Sequence, residues 1–321
     1  MKIPGAERLC LKMLAPSAFP QRLTLEITNH CNYRCVMCPS HLEPDAKKGF
    51  MAKRLFRNLV DQAAERLPVA LVPFFRGEPL MHPEAADFLN YAKQKGLGPI
   101  QLANNGSLMD RQTAARLLDA GVDFISFSLD TIEPDEYLAM RRGEPLAKVM
   151  ENIMGLLDLR DQGNYPTQIQ VSATRTEINQ KSIDKFIAHW RNIADRTRIY
   201  YEHSKDGHLG SLDCPEVPES IPRKPCQKLY TDLVVYWNGQ AAFCNHDWQR
   251  GDDLGDLNKQ SIEDLWLGER YEKMRTAHNR PETITDSTCL YCDHWKISYL
   301  EEQLIGELYT PQDDLARAGG Q

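Results

Sequence analysis

The stretch Cys31-Asn-Tyr-Arg-Cys35-Val-Met-Cys38 sets the interpretation of this chain. It follows Leu23-Thr-Leu-Glu-Ile27, whose alternating apolar and polar residues predict a β-strand. A loop after a strand can direct three thiolates at one centre, and soft thiolates favour iron–sulfur clusters or zinc over hard cations. A 4Fe-4S cluster normally takes one cysteine per iron, so three local cysteines leave one iron open to a substrate or cofactor. The loop therefore predicts a cluster with Cys31, Cys35 and Cys38 as its ligands.

The alternative for this loop is a zinc site completed by His30 or His41. Zinc loops more often pair two C-x2-C knuckles, and the C-x3-C-x2-C spacing fits that pattern poorly. We therefore expect a cluster rather than zinc.

Composition sets the class of protein. The 321 residues are enough for one large α/β domain with a smaller module, and 42% hydrophobic residues are enough for a core. The net charge is −7 and no basic run of the kind that follows a phosphate backbone occurs, so we expect no nucleic-acid partner. No apolar stretch has the length of a membrane span or the form of a signal peptide. We expect a cytoplasmic protein without a membrane partner.

From about residue 22 to residue 205, runs with the period of a strand alternate with runs with the period of a helix. Six strands separated by helices imply right-handed parallel crossovers, which build an open sheet or a partial barrel. The predicted strands after the first are Val69–Phe75, Pro99–Ala103, Val122–Leu129, Gln168–Ala173 and Arg198–Glu202. In either architecture the site lies at the carboxyl ends of the strands. The cysteine loop, Gly77-Glu-Pro79 and Asn104-Asn-Gly106 follow such ends, so we expect them on one rim.

The rest of the chain divides into shorter segments. The predicted divisions are a lead-in over 1–20, the α/β domain over 21–205, a linker over 206–225, an auxiliary domain over 226–295, and a C-terminal helix and tail over 296–321. Asn238-Gly239 between two short apolar runs predicts a β-hairpin in the auxiliary domain. We expect the final helix to continue to Leu308.

A second set of cysteines lies in the auxiliary domain: Cys226, Cys244, Cys289 and Cys292. The odd total of nine cysteines and the lack of a signal peptide favour reduced thiols over disulfides. Four thiolates can fully ligate a 4Fe-4S cluster or form a four-cysteine zinc site. The spacing alone does not choose between the two.

The motifs of the α/β region resemble the radical SAM superfamily. CxxxCxxC follows the first strand, Gly77-Glu-Pro79 follows the second, and Ser126-Phe-Ser-Leu-Asp130 lies on the fourth, so the resemblance covers about residues 23–202. It implies a partial (β/α)6 barrel whose cluster binds the amino and carboxylate groups of S-adenosylmethionine (SAM) at the open iron. It also implies that one electron from the cluster cleaves a carbon–sulfur bond, and that the resulting 5′-deoxyadenosyl radical abstracts hydrogen from the substrate.

The same resemblance implies cofactor-binding roles for individual residues. They are Gly77, Glu78 and Pro79 at the amino group, Ser128 near the carboxylate and ribose, Asn105 in a segment similar to Thr-Asn-Gly, and Arg141 facing the cofactor. Two residues depart from the family pattern. Arg76 stands where the usual Gly-Gly-Glu-Pro run has a second glycine, and Met37 stands where an aromatic side chain often packs near adenine. Methionine is adaptable enough to fill that space.

The auxiliary domain is similar to the SPASM/twitch extension of radical SAM enzymes. The similar features are Gly239-x4-Cys244, Leu254-Gly-Asp-Leu257, the Ser261–Trp266 run and Cys289-x2-Cys292, in an order and spacing like those of 2-deoxy-scyllo-inosamine dehydrogenase-type enzymes. Full SPASM domains carry seven cysteines, whereas the four here correspond to the shorter twitch form with one auxiliary 4Fe-4S cluster. That cluster is fully ligated in this interpretation, so it carries electrons rather than substrate. A donor such as flavodoxin or ferredoxin would supply the first electron.

Three residues are candidates for catalytic roles. His246 and Asp247 follow a cluster cysteine at a strand end, where related enzymes place a substrate-binding or proton-accepting side chain, and histidine can act as a base near neutral pH. A solvated loop is the alternative for both. Cys214 lies in the linker, and radical SAM epimerases quench their product radical with a thiol. A plain unpaired cysteine is the alternative there.

The expected reaction is two-electron oxidation of a small polar substrate, such as a sugar or aminocyclitol, with the auxiliary cluster as electron acceptor. The lack of a recognisable leader-peptide-binding domain before the barrel favours a small molecule over a peptide. The alternatives are a radical epimerase or a peptide-modifying enzyme with a cysteine hydrogen donor. An alternative from another class is a non-catalytic iron–sulfur or zinc protein.

Overall fold

The computed structural model describes residues 17–38, 47–201, 222–242, 244–247, 254–285, 287–290, 292, 294–299 and 306–311. Within these ranges, nine strands form two sheets with the orders β2-β1-β7-β8 and β3-β4-β5-β6-β9. The strands are β1 (Arg22–Leu25), β2 (Ala70–Val72), β3 (Gln101–Asn104), β4 (Phe124–Ser128), β5 (Gln168–Arg175), β6 (Arg196–Tyr201), β7 (Asp232–Val235), β8 (Ala241–Ala242) and β9 (Gly306–Tyr309).

The first six strands run parallel and follow one another in space. β1 pairs with β2, and β3, β4, β5 and β6 pair in sequence order. A parallel bridge between Leu71 and Ile100 joins β2 to the chain just before β3, so the two sheets are continuous at this point. The predicted parallel α/β architecture is confirmed. All the loops that carry the predicted motifs leave the strands at the same end, as parallel pairing requires.

Helices connect the parallel strands and cover their outer face. They are α1 (Lys53–Ala64), α2 (Ala85–Gln94), α3 (Arg111–Asp119), α4 (Pro134–Arg141), α5 (Leu146–Gly163) and α6 (Ile183–Trp190); the later helices are α7 (Lys228–Thr231), α8 (Ile262–Trp266), α9 (Glu269–Asn279) and α10 (Ser287–Leu290). Alternate residues of β1 are buried on the helix side, where Leu23 and Leu25 join the same core as Phe56 of α1. The opposite face carries polar residues, including Thr24, which points into the barrel interior.

Local chemistry explains where helices start. Asp110 accepts a hydrogen bond from the Thr113 amide (2.8 Å) at the start of α3, as its position in the sequence predicts. Ser261 accepts one from the Asp264 amide (3.0 Å) at the start of α8. Both caps satisfy amides that a helix leaves without partners in its first turn.

The hairpin β7–β8 is antiparallel, as Asn238-Gly239 predicts, but it does not stand apart from the barrel. β7 also pairs in parallel with β1, with Arg22 opposite Asp232 and Leu25 opposite Val235. The hairpin therefore extends the barrel sheet beyond β1. This attachment fixes the auxiliary cysteines relative to the barrel.

The C-terminal segment differs from the prediction. A short 3₁₀ helix covers His294–Tyr299, but Gly306–Tyr309 is strand β9 and not the end of a helix. β9 pairs antiparallel with β6, and Glu307 forms an ion pair with Arg175 of β5. The prediction of helix up to Leu308 is therefore wrong. Without β9, β6 would be the edge strand of the sheet and its outer backbone groups would have no partners; β9 pairs with those groups. The sequence of residues 306–309 alone does not show that β6 requires a neighbouring strand.

Candidate active site

The cysteine loop lies past the carboxyl end of β1, and its three cysteines are half-buried. Burial raises the pKa of the Cys31 thiol to about 11, and the negative charges of Cys35 and Cys38 raise it as well. The Tyr33 amide donates a hydrogen bond to the Cys31 sulfur (3.4 Å) and has the opposite effect on this pKa. Burial also raises the pKa of Cys35. Protonated thiols must lose their protons to bind metal, so cluster binding here releases protons.

Glu78 joins the loops that follow the first three strands. Its own amide donates to the His30 carbonyl (2.7 Å), and its buried carboxylate accepts from the Leu80 amide (3.1 Å) and the Asn105 amide (2.7 Å). Burial raises the pKa of this carboxyl to about 7, against the lowering effect of the two amides. The predicted convergence on one rim is thus direct contact between loops.

An amide network extends from Glu78 to the cysteine loop. Asn105 Nδ2 donates to Asn32 Oδ1 (2.9 Å), and Asn32 Nδ2 donates to Ser107 Oγ (2.8 Å). Asn105 Oδ1 accepts from both the amide and the hydroxyl of Ser107. The network holds the residue between Cys31 and Tyr33 in a fixed place relative to the loop after β3.

Gly77 is required by the close approach of two backbones. Its φ is +78°, and a Cβ at this position would lie 2.6 Å from the His30 carbonyl oxygen and 2.7 Å from Asn29 Cα. Only glycine tolerates both conditions. The turn thereby presents backbone polar groups beside the cysteine loop.

Arg141 stands behind the first cysteine set. Its Nη2 forms an ion pair with Asp130 (2.5 Å), and its Nη1 lies 3.7 Å from Cys35 Sγ. Burial lowers the pKa of Arg141, but the negative charges of Asp130 and Cys35 outweigh it and raise the pKa on balance. A permanent cation beside Cys35 favours the thiolate form of that residue.

Met37 and Ser128 lie on the same rim. Met37 is half-buried in the turn between Cys35 and Cys38. Ser128 ends β4 opposite Ser172 of β5 and is also half-buried. Pro79 begins a 3₁₀ turn, and Glu78 caps it. All the predicted cofactor-binding residues therefore lie at one end of the barrel.

The second cysteine set also converges. Cys226, Cys244, Cys289 and Cys292 line one cavity, together with His246, His278, His294 and Arg223. Burial raises the pKa of Cys244 to about 12, while the Lys228 charge lowers it, and the His246 amide donates to its sulfur (3.3 Å). Arg223 Nη2 donates to the Cys289 carbonyl (2.6 Å) and so steadies the loop of the last two cysteines. We refer to this space as the auxiliary cavity.

The donor sets fit iron–sulfur clusters. In a 4Fe-4S cluster each cysteine binds its own iron, so the thiols surround a volume and do not meet at one ion. In the parts of the chain that the structure describes, no three histidine, cysteine or carboxylate side chains are grouped to hold a single metal ion. Both sets do receive backbone N–H donors at sulfur, from Tyr33 and from His246. Such donors tune the reduction potential of clusters.

The two cysteine sets lie at opposite ends of the barrel. Cys31 follows the carboxyl end of β1. Because Ala242 of β8 pairs with Val234, Cys244 lies two residues further along, near the amino end of β1. The residues Arg22 to Glu26 alone span about 13 Å at roughly 3.3 Å per residue.

A second cavity of about 340 Å³ is lined by residues of β1, β2, β3 and β7 and of the segments that follow β2 and β8. We refer to it as the barrel cavity. Its lining residues are Arg22, Thr24, Val72, Phe74, Phe75, Gln101, Lys228, Asp232, Val234, Cys244 and Asn245. Cys244 and Lys228 also line the auxiliary cavity, so the two spaces are neighbours.

The candidate catalytic residues are divided by this geometry. His246 lines the auxiliary cavity and packs against His294, with ring centroids 3.9 Å apart. Asp247 is fully buried, and its carbonyl accepts from the Tyr236 hydroxyl (2.8 Å). Asn245, their neighbour, lines the barrel cavity. Cys214 lies outside the described residues.

Comparison with known protein families agrees with this geometry. A model of the radical SAM superfamily matches residues 25–161, and a model of SPASM, an iron–sulfur cluster-binding domain, matches residues 226–293. The chain is a radical SAM protein with a SPASM domain. The radical SAM domain binds a 4Fe-4S cluster and SAM, and the SPASM domain binds additional iron–sulfur clusters.

One curated protein and two solved structures are similar to this chain. The tungsten-containing aldehyde ferredoxin oxidoreductase cofactor-modifying protein of Pyrococcus furiosus is 26% identical over 298 residues, covering 79% of this chain and 82% of that protein. BtrN in complex with AdoMet and 2-DOIA has a TM-score of 0.57 at 16% identity, covering 87% of this chain and 94% of that one. Streptococcus suis SuiB bound to SAM has a TM-score of 0.67 at 15% identity, covering 89% and 74%. SuiB has also been solved bound to its precursor peptide SuiA.

Sequence reasoning missed three residues of the radical SAM and SPASM domains that the structure places near the site. Arg76 forms a buried ion pair with Glu26, and Lys228 lines both cavities. Asp232 puts a carboxylate on the barrel cavity, 3.7 Å from Arg22. Only Arg76 had a signal, its departure from the family pattern. For membranes, no helix within the described ranges combines the length and apolar character that crossing one requires.

Proposed function

We propose that this radical SAM protein oxidises a small polar substrate by two electrons, with the auxiliary cluster as the acceptor of the second electron. One observation carries the proposal: Cys244, a predicted ligand of the auxiliary cluster, lines the barrel cavity as well as the auxiliary cavity. A substrate in the barrel cavity would therefore lie next to that ligand. An electron left on the substrate would have a short path to the cluster.

The barrel cavity supports a small substrate. Its volume of about 340 Å³ is near the lower end of the roughly 300–1,000 Å³ found for small-molecule sites. Thr24, Gln101 and Asn245 offer hydrogen bonds, whereas Phe74 and Phe75 give one apolar wall. That combination suits a polyol or aminocyclitol ring, which has polar edges and less polar faces.

The chain's own residues would bind and orient the cofactor at the rim. SAM and the first cluster, when bound, supply a 5′-deoxyadenosyl radical that removes hydrogen from a substrate. We assign the backbone of Gly77 and Pro79, with the Glu78 carboxylate, to the SAM amino group. Ser128 and Asn105 would hold the carboxylate and ribose side, Met37 would pack near the adenine, and Arg141 would face the cofactor beside Cys35.

A base must take the proton that leaves with the second electron. His246 and Asp247 remain predicted for this step, and Cys214 remains the predicted donor only if the reaction is an epimerisation. Asp232 is a further candidate because it lines the barrel cavity and carries a carboxylate. Replacing each of His246, Asp247 and Asp232 by its amide or Gln analogue, and comparing the pH dependence of turnover, identifies the base.

The test is anaerobic reconstitution followed by reaction with SAM and dithionite. We expect about eight irons per chain and formation of 5′-deoxyadenosine. With a panel that includes 2-deoxy-scyllo-inosamine and related sugars, we expect a product two mass units lighter than its substrate. No 5′-deoxyadenosine, or iron for one cluster only, would overturn the proposal.

A matched variant isolates the auxiliary cluster. Cys289→Ala/Cys292→Ala should keep 5′-deoxyadenosine formation and lose the oxidised product, because the first cluster is intact and the acceptor is absent. Solvent deuterium separates oxidation from epimerisation. Uptake of deuterium at carbon in the wild type, abolished by Cys214→Ala, would replace oxidation by epimerisation as the activity.

A further inference from the structure

Lys228 stands between the two cavities. It is the first residue of α7, two positions after Cys226, and it lines both the auxiliary cavity and the barrel cavity. Its Nζ donates a hydrogen bond to Oδ1 of Asn245, which is the residue directly after Cys244 in the sequence. The ammonium is therefore held beside two members of the second cysteine set.

The partner of Lys228 is a neutral amide, which leaves the positive charge uncompensated by that contact. The side chain also lies close to the thiols, because Lys228 lines the auxiliary cavity together with Cys226 and Cys244. Asp232, which lines the barrel cavity with Lys228, has its carboxylate 3.7 Å from Arg22. Arg223, the other cation of the auxiliary cavity, donates to the Cys289 and Leu290 carbonyls and so holds the loop of the last cysteines.

A fixed cation has a predictable effect on a cluster in this cavity. Reduction by one electron makes the cluster more negative, and a nearby positive charge stabilises the reduced form more than the oxidised form. Water screens part of this effect, because the hydrogen bond between Lys228 and Asn245 is exposed to solvent, whereas the half-buried positions of Cys226 and Cys244 limit the screening on the side of the thiols. The reduction potential therefore rises, which makes the cluster a better electron acceptor.

We propose that Lys228, oriented by Asn245 between the auxiliary and barrel cavities, is a positioning residue that raises the reduction potential of the auxiliary cluster. The inference rests on the proposed function in one respect, that the auxiliary cavity holds a redox-active cluster. It does not depend on which substrate occupies the barrel cavity. Charge at position 228, rather than side-chain shape, is what the proposal requires.

The test measures the potential without any substrate. Full-length chains carrying Cys31→Ala, Cys35→Ala and Cys38→Ala retain only the auxiliary cluster, and anaerobic titration followed by electron paramagnetic resonance gives its midpoint. In that background we compare Lys228→Met, Lys228→Gln and Lys228→Arg. Lys259→Met is the matched control, since Lys259 is a solvent-exposed lysine of the same domain that pairs with Asp256.

Loss of the charge should shift the equilibrium toward the oxidised cluster by tenfold or more. That corresponds to a midpoint at least about 59 mV lower for a one-electron couple. We expect this shift for Lys228→Met and Lys228→Gln, and little change for Lys228→Arg and Lys259→Met. Equal midpoints in the neutral variants and the parent would overturn the proposal.

Two other outcomes also decide the question. If both neutral variants lose auxiliary iron while Lys228→Arg keeps it, the charge serves cluster assembly and the tuning proposal is wrong. If Lys228→Arg shifts as far as Lys228→Met, the shape of lysine matters and the charge argument is wrong. Failure of the proposed function is recognised separately, since it appears as missing 5′-deoxyadenosine in the chain with all seven cluster cysteines, whatever the auxiliary midpoint.

Discussion

The buried ion pair between Glu26 and Arg76 offers the sharpest test of how this barrel is held together. Arg76 Nε lies 2.6 Å and Nη2 3.2 Å from the two carboxylate oxygens of Glu26. Both side chains are almost completely buried, with 4% and 0% exposure. The guanidinium also lies over the Tyr236 ring (4.5 Å) and the Phe75 ring (5.2 Å). The pair thus connects β1, the segment before Gly77 and the end of β7.

Removing one partner leaves the other charge buried without compensation, which costs about 3–5 kcal/mol in comparable pairs. For Arg76→Met, the loss of ring contacts adds about 0.5–2 kcal/mol. Glu26→Leu should lower the free energy of unfolding by a similar amount to Arg76→Met, because it leaves the buried guanidinium of Arg76 without its partner. The double variant Glu26→Leu/Arg76→Met removes both charges, so we expect it to lose much less stability than the sum of the two single losses.

Guanidinium unfolding under anaerobic conditions, followed by tryptophan fluorescence, gives the free energies for the double-mutant cycle. We expect each single variant to lose at least about 3 kcal/mol, and a coupling energy of about 2 kcal/mol or more. A loss below about 1 kcal/mol for Arg76→Met, or strictly additive losses, would show that the reasoning about this pair is wrong. Arg116→Met is the control, because Arg116 forms an exposed pair with Asp87 that should contribute little.

Three further predictions concern the rim and the helices. Gly77→Ala should lose SAM affinity in equilibrium dialysis and destabilise the chain by about 1–2 kcal/mol or more, because φ is +78° and the Cβ would meet the His30 carbonyl. Because folding raises the pKa of Glu78 from 4.5 to about 7, the contribution of this residue to stability is greatest below pH 4.5 and is lost as the pH rises to about 7. Glu78→Gln should remove that fall, about 3 kcal/mol at roughly 1.36 kcal/mol per unit, in denaturation of the SAM-free protein. Asp110→Ala should lose about 1 kcal/mol by the same assay and leave 5′-deoxyadenosine formation unchanged, because it removes only the cap of α3.

The parallel core and its rim were predictable because local signals repeat there. Runs with the period of a strand alternate with runs with the period of a helix over six predicted strands, and each of the first three strands is followed by a turn or motif that marks its end. Three of these ends meet through Glu78 and Asn105, as parallel strands require. The bounds were less predictable: β2 covers only Ala70–Val72 of the predicted Val69–Phe75. Phe74 and Phe75 face the barrel cavity instead of continuing the ladder.

The sequence could not predict the roles of residues that depend on partners far away in the chain. Arg76 differs from the family pattern, but its meaning depends on Glu26, fifty residues earlier and buried on the same side of the sheet. Lys228 has no motif at all, and its position between two cavities follows from how α7 leads into β7. Strand β9 is recognisable only once β6 is known to need a neighbour.

The pairing of β7 with β1 fixes the position of the second cysteine set relative to the first, and the proposed function depends on that position. An isolated hairpin could place Cys244 anywhere around the barrel. Because Asp232 is in register with Arg22, and Ala242 with Val234, Cys244 must lie at the end of the barrel opposite the cysteine loop. In the proposed oxidation, a substrate held in the barrel cavity would lie beside Cys244 and so next to the electron acceptor. The direction of electron flow in the proposed oxidation, from the substrate toward Cys244, thus depends on the register of one pair of strands.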